Sequence, residues 1–441
     1  MRTTTDSTAS DAIERALEAA RSPRAARAFL SLDPEGARAA ARAADRGEVI
    51  GPLAGRPVSI KDLFDVVGER TTAGSAVLAD APVAAADAPA VARLRAAGAA
   101  FVGRTNTSEF AFSGVGFNPH HGTPVNAALD TGPGPGQHVP GGSTSGGATS
   151  VAAGAAWAAL GSDTGGSLRI PAALQGLVGW KSTARLVPTA GAVPLSPTLD
   201  TVGAITSTVE DAIAVHEVLA ARRVGRATTP LAALAVAVPC RLFLDGLDAT
   251  VGRAFERALG TLAAAGARIE EIDFEPVDAL ASINAAGGFS AAESWRHHRA
   301  LLASDGGRYD PRVAARIRRG EAIDDAAYAA LVAARADWIA RATADLAPYD
   351  ALLSPTVPIV APRLAETIAD DSAFFAVNGL LLRNPSVVNF LDGCAASLPC
   401  HGPGEAPVGL MVWHGAMHDD AVLGACLAIE AALARPAPGA A

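Results

Sequence analysis

The sequence predicts an α/β protein built on a largely internal sheet. Short apolar runs alternate along the chain with longer stretches that carry apolar residues at helical spacing, the pattern of a sheet covered by helices. Several of those runs are apolar throughout, which marks strands buried on both faces. Composition agrees: half of the 441 residues are hydrophobic and only 18% are charged, ample material for a core.

Taken in order, residues 11–31 and then 33 or 34 to 46 predict two helices, rich in alanine and arginine, that pack as an N-terminal hairpin. Residues 56–61 read as a strand that gives way to loop at Lys61, a place where α/β proteins present functional side chains. A helix follows over 89–99 and a short strand over 100–103. From Ser113 to Gly142 the composition shifts to Gly, Pro, Asn and His, so the segment predicts a long loop, either a pocket wall or lid or a plain surface excursion. Thr144 to Ala159 reads as a buried helix and 158–162 as a brief strand. Residues 168–206 hold short strand and turn signals, and 209–221 a helix capped by Ser207 or Thr208. A buried strand is predicted over 234–238, a helix over 248–266, a strand over 267–273 and mostly helix over 275–347. Strands over 351–353 and 408–413 and a helix over 419–433 complete the pattern. No internal repeat is present, so residues 1–441 are expected to form one domain.

Formal charge is −9, with a pI near 5.5, which argues against nucleic acid as a partner. The best apolar run, 148–160, is short and broken by Thr149, Ser150 and Gly154, so no membrane partner is expected. The start is polar and then amphipathic, without a signal-peptide apolar region. Cys240, Cys394, Cys400 and Cys426 are too sparse for a disulfide framework. Together these features predict a cytoplasmic globular protein.

The chemistry concentrates between Pro140 and Pro171. Two glycine–serine clusters, around Ser143 and Ser167, bracket an alanine-rich helical run, and each serine follows two glycines. Such clusters hold hydroxyls on sharply bent backbone beside bare N–H groups, as acyl transfer requires. The base has to come from elsewhere. Of 36 basic residues, only Lys61 and Lys181 are lysine. Lysine can lose its proton when buried and arginine cannot, so both are candidates. No G-x-S-x-G elbow occurs, since Arg169 stands at its last position, and neither lysine follows a serine by three residues. The adjacent pairs His120–His121 and His297–His298, and the pair His414 and His418, lack the partners of a metal site, and no Gly-Lys-[Ser/Thr] supports phosphate binding. No metal or cofactor is called for.

Pro140-Gly141-Gly142-Ser143, Gly161-Ser162-Asp163-Thr164-Gly165-Gly166-Ser167, Pro171 and Gly176 together resemble the amidase signature family. Val58-Ser59-Ile60-Lys61-Asp62, Gly103-Arg104-Thr105-Asn106 with Glu109-Phe110, and Gly122-Thr123 with Asn126 resemble its neighbouring segments. The likeness is dense over about 50–210 and resumes at Ser354-Pro355-Thr356, Ser397-Leu398-Pro399 and Pro407-Val408-Gly409-Leu410. The resemblance implies a large mixed central β-sheet covered by helices on both faces: a signature core at about 50–210, a variable helical middle at about 220–350, and a C-terminal return to the core at about 350–433.

It also implies a Ser–cis-Ser–Lys triad with Ser167 as nucleophile, Ser143 as bridge after a cis peptide, and Lys61 as base. Ser143-Thr144-Ser145-Gly146-Gly147 holds one residue more than the family's usual pattern, and the 24-residue spacing to Ser167 favours Ser143 over Ser145. Backbone N–H groups of Thr164, Gly165, Gly166 and Ser167 would bind the oxyanion. Asp163 and Arg169 are expected as a buried ion pair or hydrogen-bond support, and Lys181 as structural. A free lysine is only about one part in a thousand neutral near pH 7.4, so the base role requires burial to lower its pKa by about three units.

The expected activity is hydrolysis of the C–N bond of a small or medium amide through an acyl-enzyme on Ser167. Carbamates (urethanes) and aryl esters are alternatives, as is the glutamine-hydrolysing subunit of a tRNA-dependent amidotransferase. A catalytically silent binding protein of the same fold is a third reading. A small-molecule amide or carbamate and water are the expected partners, and a homodimer is left open.

Overall fold

A computed structural model describes residues 8–226 and 229–434; the polar start at residues 1–7 lies outside them. Eleven strands form one mixed sheet. They are β1 (Phe29–Leu32), β2 (Pro57–Lys61), β3 (Ala100–Thr105), β4 (Ala158–Asp163), β5 (Val178–Lys181), β6 (Thr201–Thr206), β7 (Ala235–Pro239), β8 (Arg268–Ile272), β9 (Ala351–Pro355), β10 (Cys394–Pro399) and β11 (Gly409–His414). Their order across the sheet is β1-β3-β2-β4-β6-β5-β10-β11-β9-β7-β8. β2 runs parallel to both β3 and β4, β7 runs parallel to β8 and β9, and the strands between β4 and β9 pair antiparallel.

Burial explains why these segments are strands. Every residue of β2, β4, β6 and β11 is buried, including the polar ones, because helices cover the interior of the sheet. The edge strand β8 carries charged, exposed residues that blunt it against further pairing.

Two expectations need correcting. The first helix covers Ala9–Ala20 rather than 11–31; Pro23 opens a separate turn and Phe29–Leu32 pairs with β3 as the edge strand β1. Alanine and arginine made that segment read as helix, but its backbone pairs with β3 instead. The helix expected over 144–159 is Ser145–Ala152, and Gly154 at φ +79° turns the chain into β4. The strand β10 and the helix Asp371–Phe390, which contains Pro385, carried no recognised signal. The other predicted elements appear within a few residues of their expected bounds, and Thr208 is the cap of Val209–Ala220.

Candidate active site

β2 and β4 lie side by side in parallel, with Ile60 opposite Leu160, and β4 runs two residues beyond the end of β2. That register sets Lys61, the last residue of β2, beside Ser162 near the end of β4. The loop before the helix Ser145–Ala152 brings in Ser143 from a third direction. Lys61 Nζ lies 2.8 Å from Ser143 Oγ and 2.9 Å from Ser162 Oγ. Lys61 and Ser143 are fully buried. The Gly142–Ser143 peptide is cis. Ser145 is not part of this cluster, and its buried hydroxyl has no hydrogen-bond partner.

Among the described residues no carboxylate forms an ion pair with Lys61. Burial therefore dominates, against the opposing fields of Asp163 and Asp200, and lowers its pKa from 10.5 to about 7. A neutral amine has two N–H donors and one lone pair, so it can donate to one hydroxyl and accept from the other.

Ser167 follows Gly166, whose φ of +124° and contact with Pro385 exclude a side chain: an added Cβ would sit 2.6 Å from Pro385 Cβ. Thr144 N–H donates to the Ser167 carbonyl at 3.2 Å, which joins the two serine segments. Ser167 is 4% exposed and opens onto a cavity of about 370 Å³, within the size range of small-molecule sites (about 300–1,000 Å³). Its hydroxyl has no protein hydrogen-bond partner among the described residues. Leu242, Leu280, Phe289 and Arg316 line the cavity, so the helical middle supplies much of the wall. Of the long loop 113–138, only Ser113 reaches it; elsewhere Asn126 ties that loop to the Val139 and Leu174 carbonyls.

Asp163 and Arg169 form a fully buried ion pair, with contacts of 2.9 and 3.0 Å. Asn389 donates to the Asp163 carboxylate at 2.9 Å and accepts from Arg169 at 2.6 Å. Burial would raise the Asp163 pKa, but Arg169, Lys181 and Asn389 hold it well below the usual carboxylate range. Its oxygens also accept from Gly166 N–H at 2.8 Å and Leu168 N–H at 3.2 Å, so the loop 164–168 is wrapped around this carboxylate. This changes one expectation: Gly166 N–H, placed in the oxyanion set by the resemblance, is engaged by Asp163. The N–H groups of Thr164, Gly165 and Ser167 have no protein acceptor among the described residues. The Thr164 hydroxyl is held by Asp200, which also accepts from Leu195 and Ser196 N–H.

Lys181 lies outside this arrangement. Its amine donates to the carbonyls of Gly393 and Ser182, and burial together with Arg169 lowers its pKa to about 8. Both His414 ring nitrogens are occupied by backbone, facing the Tyr349 carbonyl and the Gly415 N–H. Sequence reasoning assigned no role to Ser162, Asp200, Asn389 or Arg316. Ser162 had a signal, since it lies inside a glycine–serine cluster; the others had none.

The amidase family model matches residues 11–423. A 2-amino-5-chloromuconic acid deaminase of Comamonas testosteroni is 37% identical over 414 residues, covering 92% of this chain and 88% of its own. A glutamyl-tRNA(Gln) amidotransferase subunit of Koribacter versatilis is 33% identical over 433 residues, covering 89% of this chain and 87% of its own. A crystal structure of an amidase superposes with a TM-score of 0.84 at 32% identity, over 96% of each chain. The match across nearly the whole chain, on a shared fold, places the chain in the amidase family and makes it an amidase.

Proposed function

We propose that the chain hydrolyses a small amide through an acyl-enzyme on Ser167, with Ser143 as proton bridge and Lys61 as base. The observation that carries this is the buried, unpaired Lys61 amine 2.8 Å from Ser143, behind a cavity that exposes Ser167. With a pKa of about 7, roughly two-thirds of the amine is neutral near pH 7.4. Lys61 takes the Ser143 proton, Ser143 takes that of Ser167, and Ser167 Oγ attacks the amide carbon. The contact from Ser143 to Ser167 closes in the substrate complex, where catalytic hydrogen bonds commonly tighten. N–H groups of Thr164, Gly165 and Ser167 hold the oxyanion, while Gly166 N–H fixes the loop through Asp163. The proton returns to the leaving nitrogen, the C–N bond breaks, and water frees the acyl group.

The continuous sheet from β1 to β11 supports one catalytic domain. The four cysteines are free thiols, which supports a cytoplasmic location. No helix among the described residues is long and apolar enough to cross a membrane. Wild type and Ser167→Ala should be compared on aliphatic amides, anilides, carbamates and p-nitrophenyl esters. Turnover lost in Ser167→Ala supports the reading; equal turnover removes it. The likeness to a tRNA-dependent amidotransferase favours glutamine hydrolysis as the second reading, and turnover of simple amides by the purified chain alone argues against it.

A further inference from the structure

The loop that carries the oxyanion donors offers few handles. Of residues 164–167, Gly165 and Gly166 have no side chain, and Ser167 needs its hydroxyl for attack. The loop is pinned at two backbone points. The Asp163 carbonyl accepts from Thr201 Oγ1 at 2.7 Å and Asn389 Nδ2 at 3.1 Å, and Gly166 N–H donates to the Asp163 carboxylate. Between them lies the Thr164–Gly165 peptide, which glycine leaves free to turn. Its side-chain anchor is the Thr164 hydroxyl, which donates to Asp200 Oδ1 at 2.5 Å.

Asp200 is itself held by the turn Ser196–Asp200, accepting from Leu195 and Ser196 N–H at 3.0 and 3.1 Å. Glu293, on the helix Gly288–Asp305 and only 8% exposed, grips the same turn. Its carboxylate accepts from the Ser196 hydroxyl at 2.5 Å, Thr198 N–H at 3.1 Å, the Tyr328 hydroxyl at 2.6 Å and the Thr198 hydroxyl. Four donors fill the acceptor sites of a carboxylate, and among the described residues no cation pairs with it. Hydrogen bonds to a charged acceptor are about twice as strong as neutral ones, so the joint is stiff. The same helix sends Phe289 to the cavity wall, and Leu195 and Leu199 beside this joint line it too.

We propose that Glu293 is a positioning residue for hydrolysis: by fixing the Ser196–Asp200 turn it keeps Asp200 on the Thr164 hydroxyl and aims the Gly165 N–H at the oxyanion. The proposal rests on Ser167 being the nucleophile. The helical middle then braces the reacting loop as well as walling the cavity.

Kinetics on butyranilide and p-nitrophenyl butyrate, with binding of phenylboronic acid, test it. In the boronate adduct Ser167 Oγ bonds boron, its proton passes through Ser143 to Lys61, and a boron-bound oxygen takes the oxyanion's place. Glu293→Ala should lower kcat by about 10- to 100-fold with KM within about threefold of wild type, as a misaimed donor does. Phenylboronic acid should bind more weakly by a similar factor. Butyranilide binding to Ser167→Ala, read by calorimetry, should not change when Glu293→Ala is added. Glu293→Gln, whose carbonyl still accepts from Ser196 and Thr198 N–H, should recover most of the rate. Thr164→Val breaks the same chain at its far end and should match Glu293→Ala, with the double variant little worse than either and Thr164→Ser near wild type. Urea unfolding checks each fold, and the Thr164 pair carries the test where Glu293→Ala does not fold. A loss confined to KM, an unchanged boronate affinity, additive losses in the double variant, or a Thr164→Val enzyme equal to wild type would overturn the proposal. Boronate binding that depends on Glu293, in a protein that turns over neither substrate, would uphold the positioning and remove the hydrolytic reading instead.

Discussion

Replacing Lys61 by methionine tests the uncharged amine through stability, independently of any substrate. In the unfolded chain this amine titrates near 10.5, and in the folded protein near 7. Between those values the unfolded chain holds more protons, so stability rises with pH across that window. Below pH 7 the amine is charged in both states and the desolvation penalty is fully present. It amounts to about 5 kcal/mol at pH 6 and falls to about 2 kcal/mol at pH 9. Methionine has a similar volume and no such term. Its lost contacts with the Ser143 and Ser162 hydroxyls are a cost that does not change with pH, and they cancel when two pH values are compared. Relative to wild type, Lys61→Met should therefore lose about 3 kcal/mol of its stability advantage between pH 6 and pH 9. Urea unfolding of both proteins at the two pH values measures it. A difference constant to within about 0.5 kcal/mol, below what any charged-to-neutral burial of this size predicts, would refute the reasoning. The same titration governs rate: kcat/KM should rise with a midpoint near pH 7 and level off above about pH 8. A limb still climbing at about pH 9.5 would mean an ordinary lysine.

Three further outcomes follow from the geometry. Ser143→Ala should lower kcat/KM by at least about 100-fold, while Ser145→Ala, whose hydroxyl has no partner, should stay near wild type in rate; similar losses in both would undo the choice of bridge. Asp163→Asn should destabilise the fold by about 3–5 kcal/mol, read by urea unfolding, because it leaves Arg169 buried without its anion. Lys181→Met should keep kcat/KM within about threefold of wild type in the folded fraction, since its amine meets only backbone carbonyls; a hundredfold loss would give that lysine a catalytic part.

Much of the site was legible because scarcity and spacing are properties of the chain itself. One of only two lysines, at the end of an apolar strand, stood out against 34 arginines, and the 24 residues from Ser143 to Ser167 selected one serine of a close pair. The hydrogen-bond assignment of Gly166 N–H was not legible: it depends on which way the Asp163 carboxylate turns, and that is set by Asn389, which lies 226 residues away in sequence. Arg316 was hidden for the opposite reason, as one arginine among many in a helical stretch that looks alike throughout. β1 was lost because Ala- and Arg-rich sequence favours helix locally, and only pairing with β3 overrides it.

A neutral amine at position 61 depends on where the neighbouring acids are committed. Asp62 adjoins Lys61 in sequence, but it pairs with Arg104 at 2.8 Å and accepts from Gly74 N–H. Asp163 adjoins it in space, at the end of the neighbouring parallel strand, and pairs with Arg169. Asp200, the other acid whose field opposes the lowered pKa, is held by Thr164 and two backbone N–H groups. Had any of these carboxylates turned to Lys61, a buried ion pair would have fixed the amine as a cation and removed its lone pair from the Ser143 hydroxyl. Arg104 and Arg169 prevent this for Asp62 and Asp163, as Thr164 and backbone N–H groups do for Asp200, and the guanidiniums can do so because arginine keeps its proton under burial whereas lysine yields it. In this site the arginines hold two of the three acids in place, and the lysine between them keeps the lone pair that the proposed base role requires.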